Sequence, residues 1–173
     1  MPTLTVHFPF LENLSHLPRL LISRVGGQKI NTGMDYTVAM QRAIALAEKG
    51  LGKTAPNPIV GAVIIDSSGA IIAEGFHDRM NSADHAEVVA IKAAGSKAKG
   101  STIVVTLEPC NHTGSTGPCA QAIIDAGITT VVYAVSDPNV KAAGGANTLR
   151  AAGITVVEPF ALLPAALIAT TSA

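Results

Sequence analysis

Across 173 residues the chain carries only two cysteines, no tryptophan and 3% aromatic side chains, and its twelve basic residues are balanced by twelve acidic ones. Each scarcity excludes something. Two cysteines are too few for a disulfide-framed secreted scaffold and point to a reducing compartment, where paired thiols more often hold metal or do chemistry. Zero net charge speaks against a general binder of polyanions, because affinity for a phosphate backbone rests on clustered Lys and Arg; no nucleic-acid partner is expected. No run approaches the roughly eighteen apolar residues that cross a bilayer, so no membrane partner is expected either. The segment nearest to a secretory core, Leu17 to Val25, is broken by Pro18, Arg19 and Arg24, and the expected location is the cytoplasm. What the chain does have is small apolar residues: 48% of it is hydrophobic, enough for one compact domain that buries roughly 70% of its unfolded surface without a covalent staple.

The first 33 residues differ in texture, with Pro2, Pro9, Pro18 and a Gly26-Gly27 pair but no sustained period, and read as an N-terminal extension (1–33) to a domain over 34–173. From Met34 the pattern becomes helical over 35–49, with Tyr36, Met40, Ala43, Ile44 and Ala47 on one stripe. Thr54-Ala55-Pro56-Asn57-Pro58 cannot continue a helix and forms a rigid loop. Ile59 to Asp66 and Ala70 to Gly75 flank Ser67-Ser68-Gly69 and predict an antiparallel hairpin. Ala83 to Ala94 reads as a helix and Thr102 to Leu107 as a strand buried on both faces. Cys119 to Ala126 (helix), Thr129 to Val135 (strand), Ala146 to Ala152 (helix) and Ile154 to Val157 (strand) then alternate, with a last helix over Ala161 to Ala169. Alternation of this kind implies parallel strands joined by crossover helices, hence a three-layer α/β/α sandwich.

The chemistry concentrates in two places. His85-Ala86-Glu87 lies at one predicted helix start, and Pro109-Cys110 is followed after eight intervening residues by Cys119 at another. Imidazole and thiolate are ligands that zinc prefers, and three protein ligands make a catalytic pattern because the fourth position is left to water. Helix starts favour thiolate over thiol. Glu87, two residues from His85, can lie near the ion without ligating it and is the candidate proton carrier. His-x-Glu with a Pro-Cys pair is the signature of zinc nucleobase deaminases. Here the cysteines stand wider apart, and the polar loop Asn111 to Pro118 between them suits recognition of a substrate tail.

The sequence resembles the deaminase domain of the riboflavin-biosynthesis deaminase-reductase family, within the cytidine-deaminase-like superfamily. The matching pieces are Ala55-Pro56-Asn57-Pro58 with Val60-Gly61, Glu74-Gly75-Phe76-His77, His85-Ala86-Glu87-Val88, Thr106-Leu107-Glu108-Pro109-Cys110-Asn111-His112, Gly117-Pro118-Cys119 and Asp137-Pro138-Asn139. The resemblance implies a cytidine-deaminase-like mixed sheet of five strands with helices on both faces. It implies one Zn2+ per chain held by His85, Cys110 and Cys119, with Glu87 shuttling the proton. It further implies that Asn57, His77, His112, Asp137 and Asn139 line the site of a pyrimidine nucleotide, the 2,5-diamino-6-(ribosylamino)pyrimidin-4-one 5′-phosphate that loses its ring amine as ammonia. A homodimer or larger homo-oligomer, with any reductase partner on a separate chain, is the corresponding expectation, since no reductase domain is read within these residues.

Three departures qualify the substrate. Ser115 stands where family members commonly carry Lys or Arg for the phosphate, Met80 to Asp84 lacks the glycines that often precede the His-Ala-Glu motif, and Gly117 replaces a common proline. Arg79 or Lys141 can supply the missing cation. Alternatives therefore stand: deamination of another nucleobase, nucleoside or nucleotide, or a non-catalytic scaffold stabilised by zinc. At the level of single residues, the cysteines can also form a disulfide, His112 or His77 can close the metal site as a fourth ligand, and Glu87 can merely satisfy its helix dipole. Asn57 and Asp137-Pro138-Asn139 can be turns, although strand C-terminal ends in open α/β sheets are where ligands bind.

Overall fold

The computed structural model describes residues 34–113, 116–139 and 142–157. Among them the chain forms α1 (Thr37–Glu48), β1 (Gly61–Ile65), β2 (Ile71–Phe76), α2 (Ala86–Ala94), a 3₁₀ turn (Gly95–Ala98), β3 (Thr102–Leu107), α3 (Cys119–Asp125), β4 (Thr130–Val135), α4 (Gly145–Ala151) and β5 (Thr155–Val157). The five strands make one sheet in the order β2-β1-β3-β4-β5. β1 runs antiparallel to both β2 and β3, while β3, β4 and β5 are mutually parallel. The expected hairpin and the expected parallel half are both present.

The period-two alternation of the central strands divides the core. Ala62, Ile64, Ile103, Val105, Val131 and Tyr133 pack beneath α2, α3 and α4, whereas Val63, Ile65, Val104, Val132 and Ala134 pack against α1 through Tyr36, Met40, Ala43 and Leu46. Helices thus cover both faces, three on one and α1 on the other. Because both faces are covered, β1 and most of β3 are buried at every residue, which is why they read as continuous apolar runs.

Two glycines set how closely the layers approach. A Cβ on Gly61 would lie 2.0 Å from the Ala43 carbonyl oxygen of α1, and one on Gly75 would lie 2.3 Å from the Ala86 carbonyl oxygen of α2. Only a residue without a side chain lets these helices sit so near the sheet. The second contact matters for function, because it seats the first turn of α2 directly over the end of β2.

Several boundaries shift from expectation. β1 starts at Gly61 rather than Ile59, and α2 starts at Ala86 rather than Ala83. The reason for the latter is local: His85 is the N-cap with extended backbone (φ −75°, ψ 164°), and the Asp84 carbonyl accepts a bond from the His77 ring instead of entering the helix. The extension over 1–33, Gly114, Ser115, Lys141 and the helix expected over Ala161 to Ala169 lie outside the described residues.

Candidate metal centre and active site

β2, β3 and β4 point the same way, and their C-terminal ends open onto a cavity of about 390 Å³, a volume within the range of small-molecule sites. The chain leaves β2 at His77, β3 at Glu108 to Cys110 and β4 at Asp137 to Asn139. The Asn57 loop, just before β1, completes the same end of the sheet. All nine residues singled out in the sequence gather here except that Cys119 sits behind the lining, at the first position of α3.

The His85 side chain makes no capping bond to its own helix; its ring faces the cysteines instead. Its Nδ1 lies 3.3 Å from Cys119 Sγ and 3.7 Å from Cys110 Sγ, and the three donor atoms fall within 4.8 Å of one another. The Cys119 amide donates to Cys110 Sγ at 3.4 Å, and the Ala120 amide to the Cys110 carbonyl. Both cysteines are free and buried, so the disulfide alternative does not hold. Hydrogen bonding from Cys119, supported by His85, holds the Cys110 thiol down at about 4, while the Cys119 thiol is pushed up. The two thiols are linked through that hydrogen bond, and a cation among the three donors would favour thiolate at both. Imidazole nitrogen with two thiolates is a donor set matched to zinc. These residues fit the ion.

Among the described residues no fourth side chain joins this group. His77 is committed elsewhere: its Nδ1–H donates to the Asp84 carbonyl at 3.0 Å, which leaves Nε2 to accept from Asn57 Nδ2 at 3.3 Å. That pairing requires the neutral ring, and burial also lowers the His77 pKa. Its ring meets that of His85 edge-on, with centroids 5.2 Å apart. His112 lines the cavity with a buried Nδ1 that has no partner among the described residues.

Glu87 is the second residue of α2 and only 4% exposed. Burial pushes its carboxyl up to about 7, with the charge on Cys110 adding to the effect. A carboxyl tuned to neutrality can take and return a proton with little driving force lost in either direction. A helix-dipole role alone would leave it on the exposed side of the first turn, and it is not there.

The chain matches the family model described as the cytidine and deoxycytidylate deaminase zinc-binding region over residues 34–135. It belongs to that deaminase family. The riboflavin biosynthesis protein RibD of Corynebacterium ammoniagenes is 46% identical over 147 residues, which cover 78% of this chain and 43% of that protein. RibD of Mycobacterium tuberculosis is 52% identical over 118 residues, covering 68% of this chain and 34% of that one. Among solved structures, a diaminohydroxyphosphoribosylaminopyrimidine deaminase/5-amino-6-(5-phosphoribosylamino)uracil reductase from Thermotoga maritima aligns with a TM-score of 0.67 and 49% identity, over 72% of this chain and 36% of that one. The chain therefore spans less than half the length of these relatives. The group formed by His85, Cys110 and Cys119, positioned to bind one metal ion, falls within the zinc-binding region that the family model spans.

One acidic lining residue has no role in the sequence reading. Glu108 belongs to the Leu107-Glu108-Pro109-Cys110 run but its function there was not assigned; it is buried, and it accepts backbone hydrogen bonds from Asp137, Gly144 and Ala146. An acidic residue directly after the buried strand β3 is the available signal, since a carboxylate is seldom buried without dedicated donors.

Proposed function

We propose that this deaminase-family chain catalyses hydrolytic deamination of 2,5-diamino-6-(ribosylamino)pyrimidin-4-one 5′-phosphate, with residues 34–173 as the deaminase domain and 1–33 as an extension. The overall change replaces the ring C–NH2 by C=O at the expense of one water and releases ammonia, in keeping with the deaminase half of the Thermotoga protein's two-part name. The observation that carries the reading is the convergence of three zinc donors and one buried carboxyl tuned to about 7 on a single cavity.

When bound by His85, Cys110 and Cys119, zinc supplies a water acidified to roughly neutral pKa. Glu87 would receive the proton that this water gives up and pass it to the ring nitrogen next to the reacting carbon; it would then carry the second proton, from the hydroxyl newly bonded to that carbon, to the departing amine, so that C=O forms as ammonia leaves. Asn57, oriented by its bond to the neutral His77, holds the pyrimidine edge. His112, Asp137 and Asn139 hold the remaining polar groups of the base and ribose. Arg79 is the one Lys or Arg lining the cavity among the described residues, and it stands in for the cation that Ser115 lacks as the partner of the phosphate.

The buried free cysteines support a reducing cytoplasm as the setting, and a homo-oligomer is the expected assembly, to be read from its mass in solution. The decisive experiment measures ammonia release by the purified zinc-loaded chain on a panel of the phosphorylated diaminopyrimidine, its dephosphorylated form, cytosine, cytidine and dCMP. Turnover confined to the first member supports the proposal. A preference for an unphosphorylated member replaces the substrate, and no release from any member leaves the zinc-stabilised scaffold.

A further inference from the structure

Glu108 poses a separate question. The residue is 8% exposed, and among the described residues no Lys or Arg pairs with its carboxylate. Burying a carboxylate without a counter-ion is costly unless backbone donors replace the lost water. The donors come from two different segments. Oε1 accepts from the amides of Gly144 (3.2 Å) and Ala146 (3.1 Å) at the start of α4, while Oε2 accepts from the amide of Asp137 at 3.3 Å.

A cap for α4 alone would need only one oxygen, of the kind that Ser, Thr or Asn supplies without a charge to bury. The second oxygen reaches across to the loop after β4. There the Asp137 carboxylate accepts from the Asn139 amide at 2.8 Å, and the Asn139 carbonyl accepts from the amides of Ala142 and Ala143. Further bonds fasten the same wall: Glu108 N–H to the Val135 carbonyl and Asn111 N–H to the Ala142 carbonyl, each at 2.8 Å. Glu108 is two residues from Cys110, so whatever it holds is held in register with a zinc ligand.

We propose that Glu108 is a positioning residue that fixes the Asp137–Asn139 wall against the metal corner, setting the distance between the polar contacts of the substrate and the reacting carbon. The inference rests on the reading of Asp137 and Asn139 as substrate contacts. Its two oxygens carry separate duties, and this makes it testable. In Glu108→Gln the amide oxygen stays with the two donors of α4, and the NH2 group then faces the Asp137 amide, donor against donor. The cap survives and the tether breaks.

The test compares the wild type, Glu108→Gln, Asp137→Ala and the double variant, all as zinc-loaded full chains, on the phosphorylated diaminopyrimidine. Expected for Glu108→Gln are unchanged zinc content, little change in Tm, and a KM raised about tenfold, the loss of one hydrogen bond to a charged group, with a smaller fall in kcat. In the double variant that rise shrinks against the Asp137→Ala background, because the Asp137 side chain is already gone and only Asn139 is left to be displaced. Amide hydrogen exchange gives a readout independent of turnover: Asp137 is protected in the wild type and loses protection in Glu108→Gln, while Gly144 and Ala146 keep theirs. An unprotected Asp137 amide in the wild type, or unaltered protection in the variant, overturns the proposal. So does an Asp137→Ala effect on KM that Glu108→Gln does not share. An unchanged KM in Asp137→Ala instead removes Asp137 from the substrate site, and a wild type that releases no ammonia overturns the functional reading, while exchange still decides the tether.

Discussion

The two sides of the cavity are built from different kinds of information. On the metal side, His85, Cys110 and Cys119 come from short motifs whose donor atoms already converge within 4.8 Å, and each residue's type announces its chemistry. On the far side, Asp137, Asn139 and Glu108 are ordinary acidic and amide residues, brought into place by backbone bonds between the ends of β3 and β4 and the start of α4. A corner that depends on a few irreplaceable atoms fails all at once. A wall that depends on many replaceable bonds shifts by degrees, and its variants are expected to alter KM before they alter zinc.

The largest effect belongs to the metal side. Cys119→Ala removes one of three donors and is expected to lose both zinc and activity, and a chelator that lowers the Tm of the wild type should leave this variant unmoved, since stabilisation by a ligand vanishes with its site. Full zinc content in Cys119→Ala, measured by elemental analysis, would take Cys119 out of the ligand set. Next comes Glu87→Gln, which keeps the buried volume and the three donors but cannot carry the proton. Stoichiometric zinc with kcat lower by about 10²–10⁴ is expected; near-normal ammonia release would detach the carboxyl from the mechanism and leave it a buried polar group only.

The wall is broken more gently by Gly145→Ala. A Cβ at this position would lie 1.8 Å from the Pro109 carbonyl oxygen, so α4 must back away from the Pro109-Cys110 segment. Overpacking of this kind costs about 1–3 kcal/mol, read as a lower denaturation midpoint, and the displaced Asp137 loop should raise KM while zinc is retained. If the variant instead loses its zinc, corner and wall are one unit and the contrast between them is false.

The same division explains what was legible beforehand. Period-two and period-3.6 patterning located the hairpin, the buried β3 and the alternating second half, because each is a local property of its own segment. His85, Glu87 and the cysteines were legible because their types are rarely brought together for any other purpose. Glu108 was not assigned, since its value lies in amides 29 to 38 residues further along the chain, and backbone donors leave no trace in side-chain identity. Likewise Gly61 and Gly75 read as strand residues, while their closeness to Ala43 and Ala86 is set by the packing of layers. The start of α2 lies three residues later than its pattern suggests for a related reason: the His77 ring, just past the end of β2, claims the Asp84 carbonyl.

The smallest effect tests the rim of the cavity beside the Asn57 loop, where Arg79 donates to the Ala55 carbonyl at 3.4 Å and lines the cavity. The guanidinium is exposed, so its attraction for a phosphate is screened by solvent and salt. Arg79→Gln should raise KM for the phosphorylated diaminopyrimidine by about threefold to tenfold, as expected for one exposed charge contact. It should leave KM for the dephosphorylated form unchanged, and the difference should shrink as ionic strength rises. Ser115→Lys then becomes the complementary measurement: introduced into Arg79→Gln, it should restore the preference for phosphate if a cation is all that the position withholds. Equal losses on both substrates would mean that Arg79 acts through the Asn57 loop whose carbonyl it holds, and the phosphate would need another partner.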